Sequence, residues 1–311
     1  MNKIIKWLES IEWSGWSIEK ASEDASDRSY YRITKEDKTY IIMDASLAVE
    51  SLPSFLDVDV RLNGVGVKVP KIIEQDLNKG YLILEDLGSR HYLDALNKDN
   101  YQALYKKAID EIVKMQQAIS VNLPVYNEAF LLFEMELMKT WYLGKNLKLT
   151  LSEEQEAVIE KSLDIINNVI MEQPQGVFVH RDFHSKNIML TADDEIAVLD
   201  FQDARNGSII YDLVSLLKDC YIEFDRAEIE KLALYYRDEV WLEEDDEAFI
   251  RWFDFMGLQR HIKILGIFSR LAFRDDKEAY LEHIPLTLKY ITETASKYEE
   301  LNGFVEILKG N

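Results

Sequence analysis

The sequence predicts an α+β chain of two lobes, a small one rich in strands and a large one that is mainly helical. Three observations carry this expectation. Short strand patterns crowd residues 1–86, and long stretches of helical period fill most of 87–311. Two apolar strand patterns, at 177–179 and 196–199, interrupt the helical part, and each runs directly into polar residues. A length of 311 residues suits one large domain or two lobes.

The small lobe opens with a hairpin pattern. Tyr30-Tyr31-Arg32-Ile33 and Tyr40-Ile41-Ile42-Met43 flank the polar turn Lys35-Glu36-Asp37-Lys38. A helix follows over 52–62, with Pro53 tolerated in its first turn and Asn63-Gly64 ending it. Strands at 71–73 and 81–84 complete the lobe, and Leu87-Gly88 breaks the pattern as a hinge would. The border is therefore expected between residues 86 and 87. Helical periods then cover 100–119, 128–142, 152–171, 211–221, 247–274 and 285–308. The acidic run at 243–247 reads as a solvated entry to the next helix, where carboxylates suit the N-terminus.

Composition narrows the partners. A net charge of -21 argues against nucleic acid and against anionic lipid. Cys220 is the only cysteine, which excludes an intrachain disulfide framework and a cysteine zinc site. Its neighbours Leu216, Leu217 and Tyr221 suggest a buried, inert thiol. The opening Met-Asn-Lys-Ile-Ile-Lys-Trp-Leu-Glu turns acidic too soon for a secretory leader. No run of about 18 apolar residues appears. The expectation is a cytoplasmic protein with no membrane, nucleic-acid or obligate protein partner.

The chemistry concentrates at 177–203. Val177, Phe178 and Val179 lead into His180-Arg181-Asp182, Asn187 comes five residues after Asp182, and the second strand delivers Asp200. This is the H-R-D-x-x-x-x-N loop with a following D-F pair, the part set of phosphoryl transfer from ATP and Mg²⁺. Asp182 is the candidate base for a hydroxyl proton, and Asn187 and Asp200 are the candidate metal ligands. His180 is expected to hold the loop, and Asp212, opening an apolar helix, to cap or brace it. His184 is divided between facing substrate and a plain loop role. Asp203 is a candidate for a substrate hydroxyl. A small sheet lobe, a hinge and a helical lobe carrying such a loop form the protein-kinase-like architecture.

One residue departs from that pattern. Kinases place a lysine on the third strand against the ATP phosphates, but here Met43 holds its place. A triphosphate cannot stay uncompensated in a protein site, so Arg28 and Arg32 become the candidate cations. Backbone around Ala25, Ser26 and Ser29 would cradle the phosphates, and Glu85 to Leu87 would offer backbone groups to adenine. A pseudokinase or interaction protein that binds nucleotide or a partner protein without turnover is the rival that the missing lysine motivates.

Over most of its length the sequence resembles the aminoglycoside phosphotransferase and choline kinase superfamily. It is more closely similar to the bacterial anomeric sugar kinases of peptidoglycan recycling. The closer likeness rests on Asp24 to Arg32, Ile42-Met43-Asp44-Ala45, Phe178 to Asn187, Leu199 to Ala204, Tyr211 to Leu217 and Met256 to Phe268. It implies a nucleotide-binding lobe at 1–86 and a catalytic and substrate lobe at 87–311. It also implies phosphorylation of the C1 hydroxyl of N-acetylmuramate or N-acetylglucosamine. Aminoglycoside or choline phosphorylation is the competing activity. On the predicted helix at 247–274, Gln259, Lys263, Gly266, Arg270 and Arg274 form one polar face. Such a face commonly meets solvent. Here its cations would also suit a lactyl carboxylate, with Lys263 and Arg270 binding substrate, and Gly266 would admit a close neighbour.

Overall fold

The structure, a computed structural model, describes residues 1–22 and 28–310. Along the chain, α1 (Asn2–Ser10) precedes β1 (Ser17–Ser22), β2 (Ser29–Lys35) and β3 (Lys38–Asp44). Next come α2 (Leu52–Gly64), β4 (Ile72–Asp76), β5 (Tyr81–Glu85) and the single turn α3 (Tyr92–Ala95). Helices α4 (Tyr101–Met115), α5 (Glu128–Leu137) and α6 (Glu153–Met171) follow. Four short strands come after them: β6 (Val177–Val179), β7 (Ile188–Leu190), β8 (Ile196–Val198) and β9 (Arg205–Gly207). The chain finishes with α7 (Tyr211–Leu217), α8 (Arg226–Glu239), α9 (Asp246–Arg274), α10 (Ile284–Ala295) and α11 (Asn302–Lys309).

Two compact units result, one of Met1–Tyr92 with Asn187–Asp203, the other of Leu93–Lys186 with Ala204–Asn311. This division falls just after the border expected from sequence. It also groups the β7–β8 hairpin with the smaller unit, because the hairpin's outer backbone groups pair there. Val198 N–H donates to the Lys68 carbonyl and Leu190 N–H to that of Arg90, both at 2.9 Å.

The smaller unit is built on an antiparallel sheet of order β1-β2-β3-β5-β4. Strand alternation sends Tyr31, Ile33, Tyr40, Ile42, Tyr81 and Ile83 to one face, where Ile4, Trp7 and Leu8 of α1 cover them. Arg32, Ile41, Met43, Leu82 and Leu84 take the opposite face. Met43 is fully buried in the third strand, between Tyr30 and Leu82 in register, so a hydrophobe does occupy the lysine's place. Ser29 alternates to the α1 face and pairs in register with Asp44.

In the larger unit α9 is the central element, with α5, α6, α7, α8 and α10 packed on it. Every residue from Phe253 to Gly266 is buried, including Asp254, Gln259, Arg260, His261 and Lys263. The polar face predicted on this helix is therefore not one open surface. Its first half lies inside the protein, and only Arg270 and Arg274 reach solvent. Gly266 does admit a close neighbour, but that neighbour is the chain itself. A Cβ there would stand 2.6 Å from Leu137 C and Cβ and 2.7 Å from Met138 N.

Other expectations shift for local reasons. The helix expected over 128–142 changes at Met138 into a π-helical stretch, Met138–Asn146. The one expected over 285–308 stops at Ala295 and restarts at Asn302. Helix α8, RAEIEKLALYYRDE, was not anticipated, although its buried residues Ile229, Leu232, Ala233 and Tyr236 recur at helical steps. The Asp225 carboxylate caps it by accepting the Ala227 and Glu228 N–H groups.

Gly266→Ala is expected to destabilise the protein by roughly 1–3 kcal/mol, since overpacking against backbone outweighs alanine's better helix propensity. Denaturant unfolding checks this, and unchanged or raised stability would contradict the close approach.

Candidate active site

The larger unit holds Asp182 on a loop fixed by buried carboxylates. Strand β6 pairs with β9 and releases the chain at His180. Asp212, near the start of α7 and almost fully buried, accepts the backbone N–H of His180 at 2.7 Å and of Arg181 at 3.0 Å. Burial raises the Asp212 carboxyl above its ordinary range, with the His180 charge and these two N–H groups opposing. His180 is buried, and its Nδ1 accepts the Asp182 N–H at 3.2 Å. Farther along the loop, Asp219 accepts both the N–H and the hydroxyl of Ser185. Arg181 has φ +78°, a conformation that costs energy for a residue with a Cβ and persists only where its surroundings enforce it.

Charge around Asp182 is dense. Its side chain keeps 36 % of its surface exposed, and Arg260 Nη1 stands 3.7 Å from Oδ1. Burial alone would raise the carboxyl, but Lys263, Arg260 and Arg181 outweigh it and hold it well below the usual carboxylate range. Asp182 is thus an anion at neutral pH, able to accept a proton. His184, two residues on, is depressed to about 4 by burial, and its Nδ1 has no partner among the described residues. The exposed Lys186 holds its Nζ 3.6 Å from the centre of the Tyr221 ring.

The surrounding cations are themselves paired. Glu134 of α5 accepts Arg181 Nη2 at 2.7 Å and lies 3.4 Å from Lys263 Nζ. It also accepts the Tyr126 hydroxyl. Lys263 Nζ donates to the Tyr211 hydroxyl at 3.1 Å. Burial would raise the Glu134 carboxyl, yet Lys263 and Arg181 bring it below the ordinary value. Lys263 was expected to meet substrate, but its ammonium is buried and committed to Glu134 and Tyr211. Arg270 remains half-buried, with an unpartnered Nε.

The smaller unit holds Asn187 and Asp200. Leu199 N–H donates to the Asn187 carbonyl at 2.9 Å, extending the β7–β8 ladder to the two side chains. Asn187 Nδ2 lies 3.4 Å from Asp200 Oδ2, and Gln202 Nε2 donates to Asp200 Oδ1 at 2.7 Å. Asp200 too has a positive φ, +61°. The next residue, Phe201, stacks on Phe55 of α2 at 4.8 Å, and Ser54 donates to the Gln202 carbonyl. Asp203 is exposed. No cluster of three or more His, Cys, Asp or Glu side chains suited to a metal occurs among the described residues. One carboxylate and one amide oxygen are instead the sparse set that suits Mg²⁺ when phosphates supply further ligands.

The remaining sequence candidates have definite partners. Arg28 is buried and donates to the Ser51 hydroxyl at 2.9 Å. Arg32 grips Asp86 with Nε at 2.7 Å and Nη2 at 3.0 Å, and reaches the Gly88 carbonyl at 2.9 Å. Its charge is thereby matched by the Asp86 carboxylate. Glu85 N–H donates to the Lys71 carbonyl, and Leu87 is half-buried. Ser26, with Ala25, lies outside the described residues. Sequence reasoning missed Glu134, Asp219, Arg260 and Lys186. The first three are joined to the loop over more than thirty residues of chain, where spacing gives no signal.

Replacing Glu134 with alanine would leave Arg181 and Lys263 buried without their shared anion. We expect a loss of about 3–5 kcal/mol in unfolding free energy. A loss below about 1 kcal/mol, the range of an exposed pair, would contradict the network.

Comparison with known proteins gives a consistent result. Residues 17–253 match the Phosphotransferase enzyme family. An N-acetylmuramate/N-acetylglucosamine kinase of Pseudomonas aeruginosa is 37% identical, covering 93% of this chain and 86% of its own. A protein of the same name from Neisseria meningitidis is 35% identical over 98% of this chain and 94% of its own. Among solved structures, an ADP-bound aminoglycoside phosphotransferase has TM-score 0.65 at 17% identity, covering 94% of this chain and 99% of its own. The choline kinase of Streptococcus pneumoniae has TM-score 0.64 at 14% identity, with 94% and 98% covered. These two share the two-lobed α+β fold predicted from sequence.

Proposed function

This chain belongs to the phosphotransferase enzyme family, and we propose that it phosphorylates the anomeric C1 hydroxyl of N-acetylmuramate and N-acetylglucosamine. ATP is the donor, Mg²⁺ is required, and the reaction serves cell-wall recycling in the cytoplasm. The observation that carries this reading is the name shared by relatives that match nearly the whole chain. The chemistry around Asp182 supports it. An anomeric hydroxyl is more acidic than an ordinary alcohol, because the ring oxygen withdraws charge from the oxyanion. A carboxylate held in its ionised form is a weak base, so the more acidic hydroxyl suits it better than an ordinary alcohol would, with positioning contributing most of the rate.

In this reading Asp182 accepts and orients the hydroxyl proton. Asn187 and Asp200 would hold Mg²⁺, which when bound neutralises charge on the ATP phosphates. Arg28 and Arg32 are the proposed phosphate cations, each now held by a partner, Ser51 and Asp86, that a phosphate would have to displace or share. The backbone at Ser29 and, by sequence, Ser26 would lie beside the phosphates, with Glu85 and Leu87 beside adenine. Asp203 is proposed to bind a sugar hydroxyl, and Arg270 to bind the lactyl carboxylate of N-acetylmuramate. Arg181, Arg260 and Lys263 around Asp182 disfavour a polycationic acceptor such as an aminoglycoside.

The test is turnover with ATP and Mg²⁺ on a panel of N-acetylmuramate, N-acetylglucosamine, a kanamycin-type amine and choline. Phosphorylation at C1 removes the sugar's reducing end and gives an acid-labile phosphate. A product that still reduces would refute the anomeric claim, and turnover of only the amine or choline would refute the sugar claim.

Three substitutions probe the assignments. Asp200→Ala should abolish Mg²⁺-dependent nucleotide binding. Arg28→Met should raise KM for ATP while leaving adenosine affinity unchanged. Arg270→Ala should weaken N-acetylmuramate relative to N-acetylglucosamine by roughly 1–3 kcal/mol, the scale of a lost charged hydrogen bond. Unchanged ATP kinetics, or equal effects on the two sugars, would reject the corresponding role.

A further inference from the structure

The Gln259-Arg260-His261 segment of α9 carries no substrate role above, yet all three side chains are buried. We propose that Arg260 is a positioning residue for Asp182, acting through the backbone of Arg181. The proposal rests on the reading of Asp182 as the base.

The geometry is specific. Arg181 sits at φ +78°, and its peptide groups are held from both sides. Its N–H is taken by Asp212 at 3.0 Å, and its carbonyl accepts Arg260 Nη1 at 3.0 Å. That carbonyl belongs to the peptide leading directly into Asp182. The same Nη1 lies 3.7 Å from Asp182 Oδ1, so one nitrogen pins the preceding peptide and faces the carboxylate. Arg260 is only 3% exposed, which leaves it little freedom to move away.

Its neighbours hold the helix turn in place. Gln259 Nε2 reaches the Leu131 carbonyl at 3.5 Å and Glu134 Oε2 at 3.4 Å, and His261 Nε2 meets the Lys218 carbonyl at 2.9 Å. A lysine in place of Arg260 keeps the charge but not the planar fork, so it should hold the pin only in part. Without the pin, Arg181 can relax toward ordinary φ and turn the peptide that aims Asp182.

The test is a double-mutant cycle in the full chain, comparing Arg260→Met and Arg260→Lys with and without Asp182→Asn. Arg260→Met should lower kcat by roughly 10²-fold, the cost of a displaced reacting group, with KM for ATP changed by no more than about twofold. Arg260→Lys should recover part of that loss. In the Asp182→Asn background either substitution should cost no more than about a further twofold, because the carboxylate being aimed is gone.

Wild-type kcat in Arg260→Met would overturn the proposal. So would losses that multiply with Asp182→Asn, or that appear in KM for ATP, since a merely structural role produces those. If the methionine variant does not fold, the lysine variant carries the same comparison. If the wild-type enzyme uses another acceptor than an amino sugar, the cycle is run on that acceptor, so failure of the sugar reading registers separately.

Discussion

The loop that carries Asp182 depends on one constraint: a buried aspartate, Asp212, that accepts two successive backbone N–H groups, those of His180 and Arg181. Arg181 has φ +78°, a left-handed conformation that costs energy for a residue with a Cβ. A carboxylate accepting both amides supplies a restoring force that neither solvent nor a neutral side chain would match. The strained residue stands immediately before Asp182. Positions of this kind concentrate at functional sites because the surrounding packing over-determines them.

The electrostatic surroundings follow from the same loop. Three cations stand around Asp182, and burying them without anions would be prohibitive. Glu134 answers Arg181 and Lys263 together, and Tyr126 and Tyr211 complete the hydrogen bonding. A positive field keeps Asp182 ionised, while the paired anion keeps the field from unfolding the site. Asn187 and Asp200 have a simpler basis, a strand ladder extended by one hydrogen bond, and they need no distant partner to face each other.

What was legible in the sequence tracks this difference. Local devices could be read directly. The β2–β3 hairpin followed from alternation around a polar turn, the α2 helix from Pro53 and Asn63-Gly64, and the loop residues from fixed spacing. That Met43 takes the lysine's place on the third strand was equally plain, though its burial was not. Long-range burial of charge was not. The spacing of Gln259, Lys263 and Arg270 is the same whether that face meets water or a neighbouring helix, and only the partner, Glu134, decides. Gly266 signalled a close approach but not by what. Helix α8 was legible by its periodicity, since Ile229, Leu232, Ala233 and Tyr236 recur at helical steps, yet it was missed.

The most direct test of this account is Asp182→Asn, assayed with ATP, Mg²⁺ and the preferred sugar, with nucleotide affinity and stability measured alongside. The account predicts that fold and ATP affinity stay nearly intact while turnover falls by roughly 10²-fold or more, the scale of a lost general base. Wild-type-like turnover by a folded Asp182→Asn protein would contradict it.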